Sequence, residues 1–208
     1  MEKEKYIQDL ADIKNMMERS SRFISLSGLS GILAGVFAII GAYLSGGILY
    51  NFDSYFMREF VTYLPKIVLV KLALVGVSVL GLSLISGMLL TQQRAKKQGR
   101  TIWDDTAKRL VINLAIPLVT GGLFLLILLL KGFVGIVAPG TLIFYGLALI
   151  NASKYTITDI KVLGFSEIIV GLVATYFIGY GLFFWAFGFG VLHIVYGTWM
   201  YLKYEKGE

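Results

Sequence analysis

The chain has 208 residues, of which 57% are hydrophobic and 15% charged, with a mean hydropathy of +0.76. Soluble domains carry about 45–50% apolar and about 25% charged residues, so a soluble globular enzyme is excluded. With no Cys and a single His, disulfide frameworks, thiolate catalysis, zinc sites built on Cys or several His, and bis-His haem are excluded as well; no metal and no cofactor is expected.

What remains is an all-α polytopic membrane bundle. Residues 1–22 open the chain with Tyr6, Leu10, Ile13 and Met17 at helical spacing among charged residues. This pattern predicts an amphipathic cytoplasmic helix that rests on the inner leaflet or docks a protein partner or a second copy. Its mixed charge is unlike a cleaved signal peptide. Residues 23–204 then hold six uncharged or nearly uncharged runs near the length of about 20 residues that a bilayer core requires, and 205–208 form a cytoplasmic tail.

Span one, Phe23 to Leu44, contains Gly31 and Gly35, a GxxxG face for close helix packing. The loop after it repeats Phe52, Tyr55, Phe56, Phe60 and Tyr63 near helical spacing, as a helix lying in the outer interface would. Pro65 suits the first turn of span two, Ile67 to Leu90, whose Lys71 is near enough to the interface to snorkel. Arg94, Lys96, Lys97 and Arg100 follow as a basic loop able to hold anionic lipid headgroups, with Trp103 as an interfacial anchor.

Span three, Leu110 to Leu130, places Asn113, Pro117, Thr120 and Gly121 on one face; Pro117 has no N–H and so leaves the Asn113 carbonyl without its helical partner. In span four, Phe133 to Ile150, Pro139 is expected to do the same to Gly135. The run from Val162 to Leu202 is long enough to cross twice. Gly179, Gly181 and the aromatic residues Phe183, Phe184 and Trp185 predict a turn near residue 182, between span five (Val162 to Gly181) and span six (Phe184 to Leu202).

Orientation follows from the 19 Lys and Arg. Fifteen fall on the side of the termini and four on the other, which places both termini in the cytoplasm. The net charge of +6 reads as topology and attraction to anionic lipid, not as a nucleic-acid surface.

Ionisable residues inside a span are costly and mark functional candidates. Glu167 shares its face with Gly164, Gly171 and Ala174, and His193 shares its own with Ala186, Gly190 and Gly197. Small residues let backbones approach, so both faces should point into the bundle, leaving Leu172 and Val191 toward lipid. Counted from a turn near 182, Glu167 and Tyr196 lie at one depth with His193 about 5 Å away. Glu167, His193 and Tyr196 are therefore the leading ion or ligand candidates, with Asn113 and Pro117 behind them. The alternative is a structural polar contact in which the buried carboxyl is neutral.

Gly28, Ser30, Ile32, Gly35 and Ala38 match Gly164, Ser166, Ile168, Gly171 and Ala174 at a constant offset of 136, which suggests a parallel repeat of helical hairpins. The stretch MMERSSRFISLSGLSGILAG from Met16 to Gly35 and the closing GVLHIVYGTWMYLKYEK resemble a group of bacterial six-span inner-membrane proteins of unknown function. His193 and the SGLSG run belong to the characteristic stretches of that resemblance, which implies inner-membrane location and this fold over the whole chain, and carries no activity with it.

No HExxH, GxSxG or Walker loop is present. No catalytic residues are expected; an intramembrane hydrolase built on a serine and His193 is the one catalytic reading left open. The leading expectation is a non-catalytic sensor, scaffold or accessory subunit. The alternative is a small proton- or cation-coupled transporter or channel using Glu167, Tyr196 and His193.

Overall fold

The computed structural model describes residues 27–50, 64–97 and 103–206. The amphipathic helix expected within 1–22 and the aromatic loop helix at 52–63 lie outside the described residues, as does Arg100. The principal helices are α1 (Gly28–Tyr50), α2 (Lys66–Lys97), α3 (Asp105–Leu130), α4 (Val137–Ala152) and α5 (Ile160–Tyr176). A last arm follows: α6 (Gly181–Trp185), a π-helical segment (Ala186–Leu192) and α7 (His193–Tyr204) run on without a break.

Five stretches, Gly28–Leu49, Lys66–Lys97, Asp105–Leu130, Val134–Tyr155 and Ile178–Tyr204, are long and apolar enough to cross a membrane. α5 has 17 residues, about 26 Å at helical rise, slightly short of a hydrocarbon core of about 30 Å. The outer faces match that environment: Leu74, Val77, Leu84, Met88, Leu123 and Leu172 are all exposed. Such an apolar exterior suits acyl chains and not water.

Local chemistry sets the boundaries. The Asp104 carboxylate accepts from the Ala107 N–H at 2.6 Å and caps α3. Val134–Ile136 form a 3-10 turn and α4 begins only at Val137. Pro139 therefore sits in the first turn, where a missing N–H strands nothing, and the expected break in span four is absent. The turn predicted near 182 is found earlier, at Phe177 and the 3-10 segment Ile178–Tyr180. Gly181 starts the next helix instead of ending the bend.

α1 packs against α2 and α7, and α4 against α3 and α5. The repeat seen in the sequence has a structural counterpart of a different kind from consecutive hairpins. α1 is apposed to α7, and α5 to α4, with the same backbone contacts. A Cβ on Gly28 would collide with Gly197 O and Tyr201 N, and one on Gly164 with Gly146 O and Ile150 N. A Cβ on Gly35 would meet Gly190 O and Ile194 N, and one on Gly171 would meet Pro139 O and Ile143 N. The partners keep register too: Ile194, Tyr196 and Gly197 of α7 correspond to Ile143, Tyr145 and Gly146 of α4. Two glycine-zipped pairs thus form the centre. Their seam is made where the α6 and π segments meet α4 and α5.

At the end of the bundle where α1 begins, Glu205 joins three helices. Its carboxylate accepts from the Gly28 N–H at the N-terminus of α1 and from Ser27 Oγ at 3.2 Å, and pairs with Arg94 at 3.2 Å. Arg94 lies in the last turn of α2, not in a loop, and also donates to the Tyr204 carbonyl at 2.8 Å. An anion at a helix N-terminus is favourable in itself, and here the guanidinium adds to it.

Candidate functional site

α5 carries Glu167 between Gly164 and Gly171, on the face that closes on α4 and the last arm. Its side chain is fully buried, and His193 on α7 is 6% exposed. Leu172 and Val191 face outward, as the small-residue faces predict.

Four elements build the cluster: α4, α5, the π segment and α7. His193 Nδ1 is 3.1 Å from the Gly188 carbonyl and 3.3 Å from Glu167 Oε1, and Nε2 is 2.8 Å from Tyr145 Oη. A carbonyl only accepts, so Nδ1 carries hydrogen and Nε2 accepts from the Tyr145 hydroxyl, an assignment that rests on these partners. The imidazole N–H is aimed at Gly188. Glu167 Oε1 is thus within ion-pair distance of the ring, yet neither of its carboxyl oxygens has a hydrogen-bond partner.

The π segment shapes this place. A Cβ on Gly188 would stand 2.6 Å from Glu167 Oε2 and 2.5 Å from Leu142 Cδ2. The carboxyl occupies space that any other residue at 188 would fill. π segments inside α-helices are often found at functional sites. Aromatic rings close the side of the cluster: Phe189 packs on Tyr145, His193 and Trp185 at centroid distances of 5.0, 5.9 and 5.1 Å.

Tyr196 does not join Glu167 and His193. Its ring packs on Leu149, Ile160 and Leu163, and its hydroxyl is buried with no hydrogen-bond partner. The cause is the turn. With the bend at 177–180, His193 comes level with Glu167, and Tyr196 lies nearly one turn beyond it toward the end that carries Glu205. Tyr145 takes the hydroxyl's role instead. The signal for it was in the chain, because Tyr145–Gly146 repeats Tyr196–Gly197, but only the seam decides which tyrosine meets the histidine.

Asn113 and Pro117 form a separate contact between α3 and α4. The Asn113 carbonyl, freed by Pro117, accepts from Asn151 Nδ2 at 2.9 Å, and Asn113 Oδ1 lies 3.3 Å from the same nitrogen. Asn113 Nδ2 donates back to the Arg109 carbonyl at 2.8 Å. These two residues are not brought to Glu167.

Asp159, in the turn before α5, receives hydrogen bonds from Lys203 Nζ at 2.7 Å and Tyr204 Oη at 3.2 Å. The Lys203 ammonium holds the Asp159 carboxyl below the usual carboxylate range, with Tyr204 adding to it against the opposing effect of partial burial. Among the described residues, no group of three or more His, Asp or Glu is placed to hold a metal ion.

Compared with protein-family models, with curated proteins and with solved structures, the chain matches none.

Proposed function

We propose that this chain is a non-catalytic integral protein of the bacterial inner membrane, with six spans and both termini cytoplasmic, that serves as a sensor, scaffold or accessory subunit. The observation that carries the reading is the closure of its buried polar centre. Glu167 is fully enclosed, packed against Gly188 and beside His193, whose ring in turn meets Tyr145 and Phe189. A polar group held in such an enclosure can set the relation between helices, which is what a sensing or organising protein needs.

Topology is supported by charge. Lys96, Lys97, Lys154, Lys161, Lys203 and Lys206 lie toward the end where α1 begins, and Lys66 and Lys131 toward the other. Positive ends tend to stay in the cytoplasm, and Lys96 and Lys97 are also placed to meet anionic headgroups there. Packing against a protein partner or a second copy would use the outer faces of α2 and α3, each of which packs chiefly on one neighbour.

The second reading, a small proton- or cation-coupled transporter, is favoured by one specific observation. A carboxyl without hydrogen-bond partners lies at the seam of two similar helix pairs, the place where repeat-built transporters bind. Flux measurements in liposomes separate the two. The leading reading expects no proton, cation or small-solute flux above empty vesicles; a pH-dependent flux abolished by Glu167→Gln would replace it with the second.

A further inference from the structure

We propose that Glu167, His193 and Tyr145 form a binding site for a single proton, and that this proton holds the two glycine-zipped helix pairs together. The inference goes beyond the functional reading above. It holds whether the seam reports to a partner or serves a solute.

The site lies across the seam. Glu167 and Tyr145 belong to the α4–α5 pair, and His193 belongs to the arm that pairs with α1. Within each pair the backbones are in contact through glycine, so each pair moves as a unit. Between the pairs, Tyr196 packs on Leu149, Ile160 and Leu163 and Lys203 pairs with Asp159 at the bundle end, while the buried polar contacts at the centre are His193 to Glu167 at 3.3 Å and His193 to Tyr145 at 2.8 Å.

A proton is the ligand that fits. The carboxyl is fully buried, and the space beside Oε2 is bounded by Gly188 and Leu142, so a larger cation would have to displace packed side chains. Both carboxyl oxygens lack hydrogen-bond partners, which leaves an O–H or a nearby imidazolium as the means of keeping the seam neutral. The proton sits on the Glu167 carboxyl and leaves a neutral acid beside a neutral imidazole, with Nδ1–H on Gly188 O and Nε2 accepting from Tyr145 Oη. Removal of that proton to solvent leaves one buried negative charge with no compensating cation, a state relieved by admitting water between the pairs.

Among the described residues, no other ionisable group is placed to compensate it. α4 presents Tyr145, α7 presents His193 and Tyr196, the π segment presents Gly188 and Phe189, and α1 meets α7 through glycines. Asp159, Lys161 and Lys203 lie at the end of the bundle, with Asp159 already paired to Lys203.

The chain has no Cys, so spin labels can be placed at will on exposed positions in nanodiscs. Ile40→Cys with Leu172→Cys spans the seam, and Ile40→Cys with Val195→Cys stays within one pair. On raising the pH from about 5 to about 9, across the imidazole range, the seam distance is expected to lengthen while the within-pair distance stays fixed. Glu167→Gln, neutral at every pH, is expected to keep the short distance throughout. In the unlabelled wild type, infrared spectra are expected to show a carboxylic-acid C=O band above about pH 5, where exposed carboxyls are ionised, and to lose it as the seam opens, with release of one proton per chain. The proposal is overturned by a seam distance that ignores pH, by lengthening that persists in Glu167→Gln, by equal movement within the pair, or by a wild-type acid band unchanged across the range. The infrared outcome decides even if Glu167→Gln fails to fold.

Discussion

Glu167 stands in α5 at the register that Gly31 holds in α1, between the close contacts of Gly164 and Gly171 on one helix and of Gly28 and Gly35 on the other. At Gly31 the facing backbone approaches so closely that a Cβ would lie 3.1 Å from Gly197 Cα. At the equivalent place α5 carries a carboxyl, which turns to the seam and to His193. The two pairs thus share a glycine scaffold, and at this register one carries a hydrogen where the other carries a carboxyl side chain.

The scaffold makes a direct prediction. A Cβ on Gly164 would be 2.8 Å from Gly146 O and 3.1 Å from Ile150 N, both backbone atoms that cannot step aside. Gly164→Ala is expected to destabilise by about 1–3 kcal/mol, the range for overpacking. Gly76→Ala, with open space around it, should be neutral or slightly stabilising. Unfolding in mixed detergent micelles compares them, and equal effects would contradict the zipped pair.

At Gly188 the prediction is a coupling. Gly188→Ala forces the Glu167 carboxyl and the end of Leu142 to move. Glu167→Ala removes one of those obstacles. A double-mutant cycle should therefore return an interaction of about 0.5–3 kcal/mol between positions 188 and 167; strict additivity would mean that the carboxyl does not fill that space.

Asn151 and Pro117 should also be coupled. Asn151→Ala strands the Asn113 carbonyl and is expected to cost about 0.5–2 kcal/mol. In a Pro117→Ala background the helix regains an N–H at position 117 that can reach Asn113 O, so the same truncation should cost less. Stability measured on the four proteins tests this, and an undiminished cost would show that Asn151 acts by packing alone.

Asp159 gives a pH dependence with a definite sign. Its carboxyl is held below the usual range by Lys203, so the folded chain binds that proton more weakly than the unfolded one. The stabilisation is complete above the ordinary aspartate value of about 4 and is lost as pH falls through the lower folded value. The Tm difference between wild type and Asp159→Asn should hold steady from neutral pH down to about 4 and shrink as pH falls from there through the lower folded value. A gap that closes on the alkaline side would refute the assignment.

Most of the architecture was legible because hydrocarbon is an unforgiving solvent. Uncharged runs located the five described stretches long and apolar enough to cross, and small residues at 164, 171, 190 and 197 located the faces of Glu167 and His193. The turn was misread because Gly179 and Gly181 permit a bend equally well, and only the packing of α6 on α4 chooses between starting and ending a helix at Gly181. That shift of a few residues displaced Tyr196 from the cluster. Tyr145 was missed for a related reason: which helix lies across the seam depends on the apposition of α1 with α7, and no local pattern records that choice. Arg94 was assigned to a loop by its basic neighbours, whereas its partner, Glu205, lies 111 residues away.

The link between Glu205 and Gly28 also bears on how the protein is made. The group that caps α1 is 177 residues downstream of it, and the helix that zips to α1 ends just before that group. The α4–α5 pair can close while its neighbours are still emerging from the ribosome, since its two helices are separated by one short turn. α1, by contrast, must wait in the bilayer beside α2 alone, with its glycine face turned to lipid or to an insertion factor. A premature stop before the π segment Ala186–Leu192 would therefore release a chain whose first helix has been inserted but has no partner for its glycine face.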